Sequence, residues 1–238
     1  MTSRNKKRLG IAVGAIAIIG GLVYFGRRQR QLAGLGLFKP KYRLVTKRYS
    51  PAPLVGSTES GGMRTEHRRS ALMPIEERVA SIQDLVYKGV QDPQMRKLAL
   101  GITQHCPERD GTCEAKAVYD YVKGRVRYTG DIAPVKFGRN GPVEGIDLFQ
   151  SPKRTNEFRG GDCDDHSALS ATLLALNGIT PRLRVVAETR RGEDSHIYAV
   201  AGLPKVAPTK WLALDSTLPG KNNFGVEMPV GRITDFDA

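Results

Sequence analysis

Residues 160–166 read Gly160-Gly161-Asp162-Cys163-Asp164-Asp165-His166 and run straight into the stretch SALSATLLAL at 167–176, which ends at Asn177-Gly178. The glycines turn the chain, Asp162 has the side chain of a helix N-cap, and Asn177-Gly178 is a helix stop. The spacing predicts a helix over 162–176 with a cysteine in its first turn. A helix N-terminus carries partial positive charge and favours thiolate over thiol. The three surrounding aspartates act in the opposite sense. A reactive thiolate at Cys163 therefore needs a cationic partner, most simply a protonated histidine, and the chain has four: His67, His105, His166 and His196.

Downstream the hydropathy period changes to two, and strands are predicted at 182–189, 195–202 and 210–215. Alternation puts His196, Tyr198 and Val200 on one face of the second strand. Trp211, Ala213 and Asp215 share a face of the third. If these two strands are antiparallel neighbours, Asp215 lies beside His196 and can hold the ring by one nitrogen while the other faces Cys163. Nucleophile, base and orienting carboxylate are the parts of covalent acyl-transfer chemistry. Upstream, helices are predicted at 74–89, 92–104 and 114–124, opened by Pro74 and by Asp92-Pro93. Proline- and glycine-bearing turns fill 129–161, and the tail beyond Pro219 shows no clear pattern. Helices followed by an antiparallel sheet make an α+β domain.

Gly161-Asp162-Cys163-Asp164-Asp165-His166, Ser195-His196-Ile197-Tyr198 and Trp211-Leu212-Ala213-Leu214-Asp215-Ser216-Thr217 together resemble the three motifs of the transglutaminase-like superfamily. Tyr121-Val122-Lys123-Gly124-Arg125-Val126-Arg127-Tyr128 is similar to the segment that precedes the cysteine in that family. The GDCDDH form resembles small bacterial and bacteriophage members, and the likeness covers roughly residues 75–220. It implies a papain-related core in which a helix-borne cysteine packs on an antiparallel sheet. By the same resemblance Cys163 is the nucleophile, His196 the general acid/base and Asp215 the orienting carboxylate. The implied oxyanion hole combines the Cys163 N–H with one upstream donor, for which Gln150 and Tyr128 are candidates. The implied activity is a cysteine peptidase or amidase acting on a protein or peptide, ahead of amide cross-linking, with no cofactor. The alternative is a catalytically silent domain of this fold serving as a membrane-attached structural or binding module, in a bacterial envelope or a phage particle.

The chain has 238 residues and a net charge of +13, and all of that excess lies in residues 1–70. Residues 9–25, LGIAVGAIAIIGGLVYF, form an uncharged apolar run fenced by Arg4, Lys6, Lys7 and Arg8 before it and Arg27, Arg28 and Arg30 after it. At ~1.5 Å per residue the run is just long enough to cross a bilayer core. The expected layout is a single transmembrane anchor at 1–26, a basic flexible linker at 27–70 and the globular domain at 71–238. The linker suits an anionic lipid surface. Its residues resemble no nucleic-acid-reading motif, so nucleic acid is not an expected partner. Cations flank the run on both sides, which leaves the orientation open.

Cys106 and Cys113 bracket a turn, where a disulfide and two free thiols are both compatible with the sequence. His105 beside them does not complete a zinc set. Asp164, Asp165 and His166 lack the spaced ligands of a calcium loop and enter a helix at once. No metal site is expected.

Overall fold

The computed structural model describes residues 40–69, 73–129, 146–220 and 222–238. The apolar run at 9–25 and the start of the expected linker lie outside the described residues. Among the described residues no helix is long and apolar enough to cross a membrane.

The main sheet has the order β1 (Lys41–Val45), β10 (Arg232–Asp237), β7 (Pro181–Ala187), β8 (His196–Leu203), β9 (Lys210–Leu214). Its pairings are antiparallel except that β1 runs parallel to β10, with Lys41 opposite Arg232 and Val45 opposite Phe236. The sheet is thus mixed rather than wholly antiparallel. Against one face pack α1 (Ile75–Gln91), α2 (Pro93–Thr103), α3 (Gly111–Arg125) and α5 (Cys163–Leu176).

Helix α5 is the centre of this layer. Residues 165–174 are all buried, including Leu169, Leu173 and Leu174. A helix enclosed on every side carries small and apolar residues all round rather than one stripe, which is what ALSATLLAL supplies. Ile197, Ala199 and Ala201 of β8 meet it, while Tyr198, Val200 and Ala213 build a smaller cluster on the opposite face with Val186 and Val230. Asp92 caps α2 through Gln94 N at 2.7 Å, and Asp110 caps α3 through Cys113 N at 2.9 Å, three residues ahead of the expected start. Cys106 and Cys113 form a disulfide across that turn.

The described part of the segment expected as a flexible linker, residues 40–69, is folded into three strands. Besides β1, the hairpin β2 (Leu54–Ser60) and β3 (Met63–Arg69) joins β5 (Ile146–Gln150) in a second, antiparallel sheet. The inward residues of β3 are charged, so hydropathy conceals its period. Glu66 is fully buried and accepts from Arg64 Nε and Arg68 Nε, each at 2.7 Å, with Lys88 Nζ at 3.4 Å. Burial alone would raise the Glu66 pKa, but the two guanidinium hydrogen bonds outweigh it and hold it below the ordinary value. The stretch read as turns between 129 and 161 likewise contains β5 and a short helix, α4 (Pro152–Phe158), capped by Ser151. The unassigned tail supplies β10, which inserts between β1 and β7.

Candidate active site

The two-residue strands β4 (Arg127–Tyr128) and β6 (Gly160–Gly161) pair in parallel and fix the turn that feeds α5. Asp162 then caps α5, its Oδ1 accepting from Asp164 N at 3.2 Å and Asp165 N at 3.4 Å. Cys163 begins the helix, half-buried, and is the one thiol not in the disulfide. His196 opens β8 and Asp215 follows β9, so the sheet brings both to the head of α5.

His196 Nε2 lies 2.9 Å from Asp215 Oδ2, and His196 and Cys163 line the same cleft. Burial would pull the His196 pKa down. Hydrogen bonds to Asp215 and Cys163, and the charges of both, more than offset this and raise it to about 10. Asp215 is fully buried, which would raise its pKa, yet bonds from His196 and Thr217 keep it below the usual carboxylate value. Its Oδ1 accepts from Thr217 N at 3.1 Å and Thr217 Oγ1 at 2.6 Å. Cys163, His196 and Asp215 are therefore adjacent, with the imidazolium favoured between an acid and a sulfur.

The two candidate oxyanion donors fare differently. Gln150 Nε2 donates to Gly160 O at 3.1 Å and also to Asp165 Oδ2, while its main-chain N donates to Asp165 Oδ1 at 2.8 Å. Both amide hydrogens are engaged, so in this structure Gln150 clasps β5 to the turn that precedes Cys163. Tyr128 pairs opposite Gly161, and its exposed ring lies 6.3 Å from that of His166.

Three residues inside the quoted motifs, to which the sequence assigned no role, support the site. His166 is buried and places Nδ1 2.7 Å from Ser216 Oγ, behind Asp215; burial lowers its pKa. Lys123 Nζ donates to Ser216 O at 2.9 Å and to Leu218 O, holding the turn that carries Asp215. Thr217 sits two residues after an aspartate, a recognisable local hydrogen-bonding pattern. Lys123 lies in the quoted segment 121–128, but nothing in that segment announces its hold on the Asp215 turn.

Asp162, Asp164 and Asp165 bring carboxylate oxygens within 4.8 Å of one another. Asp165 is engaged by Gln150, and Asp162 caps the helix. Burial, the hydrogen bond to Asp162 and the neighbouring negative charges hold the Asp164 pKa well above the ordinary value. The cluster is knit by its own hydrogen bonds. Cys163 and His196 open on a cleft of about 260 Å³ between the N-terminal part of α1, β5 and the β7–β8 edge.

Fold and site together define an α+β protein in which a helix-borne thiol meets a histidine and a carboxylate carried by a sheet. The chain belongs to the transglutaminase-like superfamily, whose model matches residues 96–216, half of its length. No curated protein matches the sequence. Among solved structures it is similar to a "putative cysteine protease" from Cytophaga hutchinsonii, with 16% identity over 65% of this chain and 49% of that one and a TM-score of 0.38. It is also similar to a protein described as a TGase, with 20% identity over 64% of this chain and 35% of the other and a TM-score of 0.34. The chain thus spans half or less of the length of these structures.

Proposed function

We propose that the chain is a thiol acyl-transfer enzyme, a peptidase or amidase, working through Cys163, His196 and Asp215. The observation that carries this reading is the position of His196, 2.9 Å from Asp215 and lining one cleft with Cys163, with its pKa raised to about 10 by these two neighbours. The Cys163 sulfur attacks an amide carbonyl carbon, and the electron pair moves to oxygen. As the C–N bond breaks, His196 gives its proton to the departing amine, leaving a thioester. Water then attacks the thioester, His196 takes its proton, and the carboxylic acid leaves Cys163 as thiolate. The Asp162 cap uses the N–H groups of Asp164 and Asp165. The Cys163 N–H remains as a first-turn donor for the oxyanion. The apolar run at 9–25 and its flanking cations support a membrane-held enzyme.

Full-length protein incubated with p-nitrophenyl acetate is expected to take one acetyl on Cys163 with a burst of nitrophenolate. Intact mass reads the acetyl, Cys163→Ala abolishes it, and His196→Ala slows it. A folded chain that never takes the acetyl overturns the reading in favour of a silent scaffold domain.

A further inference from the structure

The surface where α3, β4 and α4 end carries cations around an exposed ring. Arg127 of β4 lies opposite Gly160 of β6, and Arg127 N donates to Arg159 O at 3.0 Å. Tyr121 OH of α3 donates to Asn156 Oδ1 of α4 at 2.7 Å. The three ends are thus stitched together. A Cβ at Gly160 would lie 3.4 Å from the Phe158 ring and 3.5 Å from Thr129 Cγ2. Phe158 and Thr129 therefore share one face of the β4–β6 pair, and so does Arg127, two residues before Thr129 in the same extended run. Val126 is buried between Arg125 and Arg127, which are both exposed. Arg159 is exposed too, and the Arg154 guanidinium stands 5.2 Å from the half-exposed Phe158 ring.

Arg68, Arg78, Arg182, Arg184 and Arg232 each pair with a carboxylate. Among the described residues none of Arg125, Arg127, Arg154 and Arg159 does so. Glu157 is the one acid on α4. Four guanidinium groups against one carboxylate complement an anionic surface, and an aromatic ring set among cations suits the headgroup layer of a bilayer. A single exposed ring is not the row of stacking platforms that single-stranded nucleic acid requires. Only fifteen residues, 26–40, separate the apolar run from β1. A domain tethered so closely to a bilayer meets its headgroups at high effective concentration, so a small patch suffices. We infer that the folded domain docks on anionic lipid through Arg125, Arg127, Arg154, Phe158 and Arg159. This assignment rests on the reading of residues 9–25 as a membrane anchor. Because β6 leads directly to Cys163, the docked face adjoins the turn that carries the thiol.

Phe158→Trp combined with Trp211→Phe leaves the full-length chain one tryptophan, set in the patch. The chain is reconstituted into vesicles of dibrominated phosphatidylcholine, alone or mixed with phosphatidylglycerol. With phosphatidylglycerol the new tryptophan, seated in the headgroup layer, is expected to lose about half of its emission or more. High salt should restore it by screening, and so should Arg125→Gln with Arg127→Gln. In the unsubstituted chain Trp211, which packs in the cluster on the opposite face of the main sheet, should keep its emission. In that same chain, modification of Arg127 and Arg159 by phenylglyoxal, read by mass, should slow severalfold on the anionic vesicles. A chain that stays in the vesicles at high salt, with the new tryptophan quenched on neither lipid or on both alike, overturns the docking and leaves the anchor standing. A chain that high salt strips from the vesicles overturns the anchor on which the assignment rests. Quenching by a single-stranded oligonucleotide and not by anionic lipid gives the patch to nucleic acid and overturns the assignment.

Discussion

Replacing Asp215 by Asn tests the proposed mechanism most directly, because it keeps the shape of the side chain and changes what His196 can be. Asp215 accepts from His196 Nε2, Thr217 N and Thr217 Oγ1. An asparagine can still accept from Thr217 through its carbonyl, which turns its NH₂ toward His196 Nε2. That nitrogen must then be an acceptor, the ring proton moves to Nδ1, and the nitrogen facing Cys163 can no longer receive one. A hydrogen bond to a charged group contributes about 1.5–3 kcal/mol, so Cys163 alkylation by iodoacetamide at neutral pH should slow by about 10- to 150-fold. With the carboxylate gone, burial is opposed only by Cys163, and the imidazolium midpoint should fall from about 10. Alkylation rates across pH and NMR titration of the His196 ring read the two effects separately. An Asn variant alkylated at the wild-type rate, with its imidazole midpoint unmoved, would refute the reasoning.

Two further outcomes follow from the geometry. A Cβ at Gly161 would lie 2.6 Å from Asp165 Cβ and 2.7 Å from Oδ2, so Gly161→Ala should open the Asp165–Gln150 clasp at a cost of about 1–3 kcal/mol; an unchanged urea midpoint would contradict this. The raised His196 pKa means that the folded state binds the proton more tightly than the unfolded chain. Its stabilisation is complete below the unfolded value of 6.5 and disappears as pH rises through about 10. The stability gap between wild type and His196→Ala should shrink over that window in urea melts, and a constant gap would argue against the linkage.

The parts of the fold legible in the sequence are those whose burial is apolar and whose ends are marked. Helix α5 has an aspartate cap, a small-residue and leucine body and an Asn-Gly stop, while β7, β8 and β9 alternate or run apolar. Strand β3 escaped because its buried side chains, Glu66 and Arg68, are charged, and β10 escaped because buried Thr234 and Asp235 interrupt the apolar Ile233 and Phe236. Asp235 is buried against Arg184 at 2.7 Å, an ion pair that no hydropathy period announces. The same division holds at the site. Cys163, His196 and Asp215 stand at element ends whose spacing can be read, so their proximity is legible. The engagement of Gln150 by Asp165, and the hold of Lys123 on the Asp215 turn, depend on tertiary contacts between elements with no common pattern.

If the apolar run at 9–25 holds the chain to a membrane, as proposed, the early start of β1 sets a short leash. With the chain committed to the sheet from Lys41, fifteen residues, 26–40, separate it from the apolar run. Fully drawn out they reach about 50 Å, where the whole stretch 27–70 would have reached three times as far. Strands lie about 4.8 Å apart, and the leash attaches at the sheet edge three strands away from β8. If the proposed anchoring and activity hold, the enzyme would patrol a thin shell, and its choice of target would be set by which proteins lie within that shell as much as by which bonds fit its cleft.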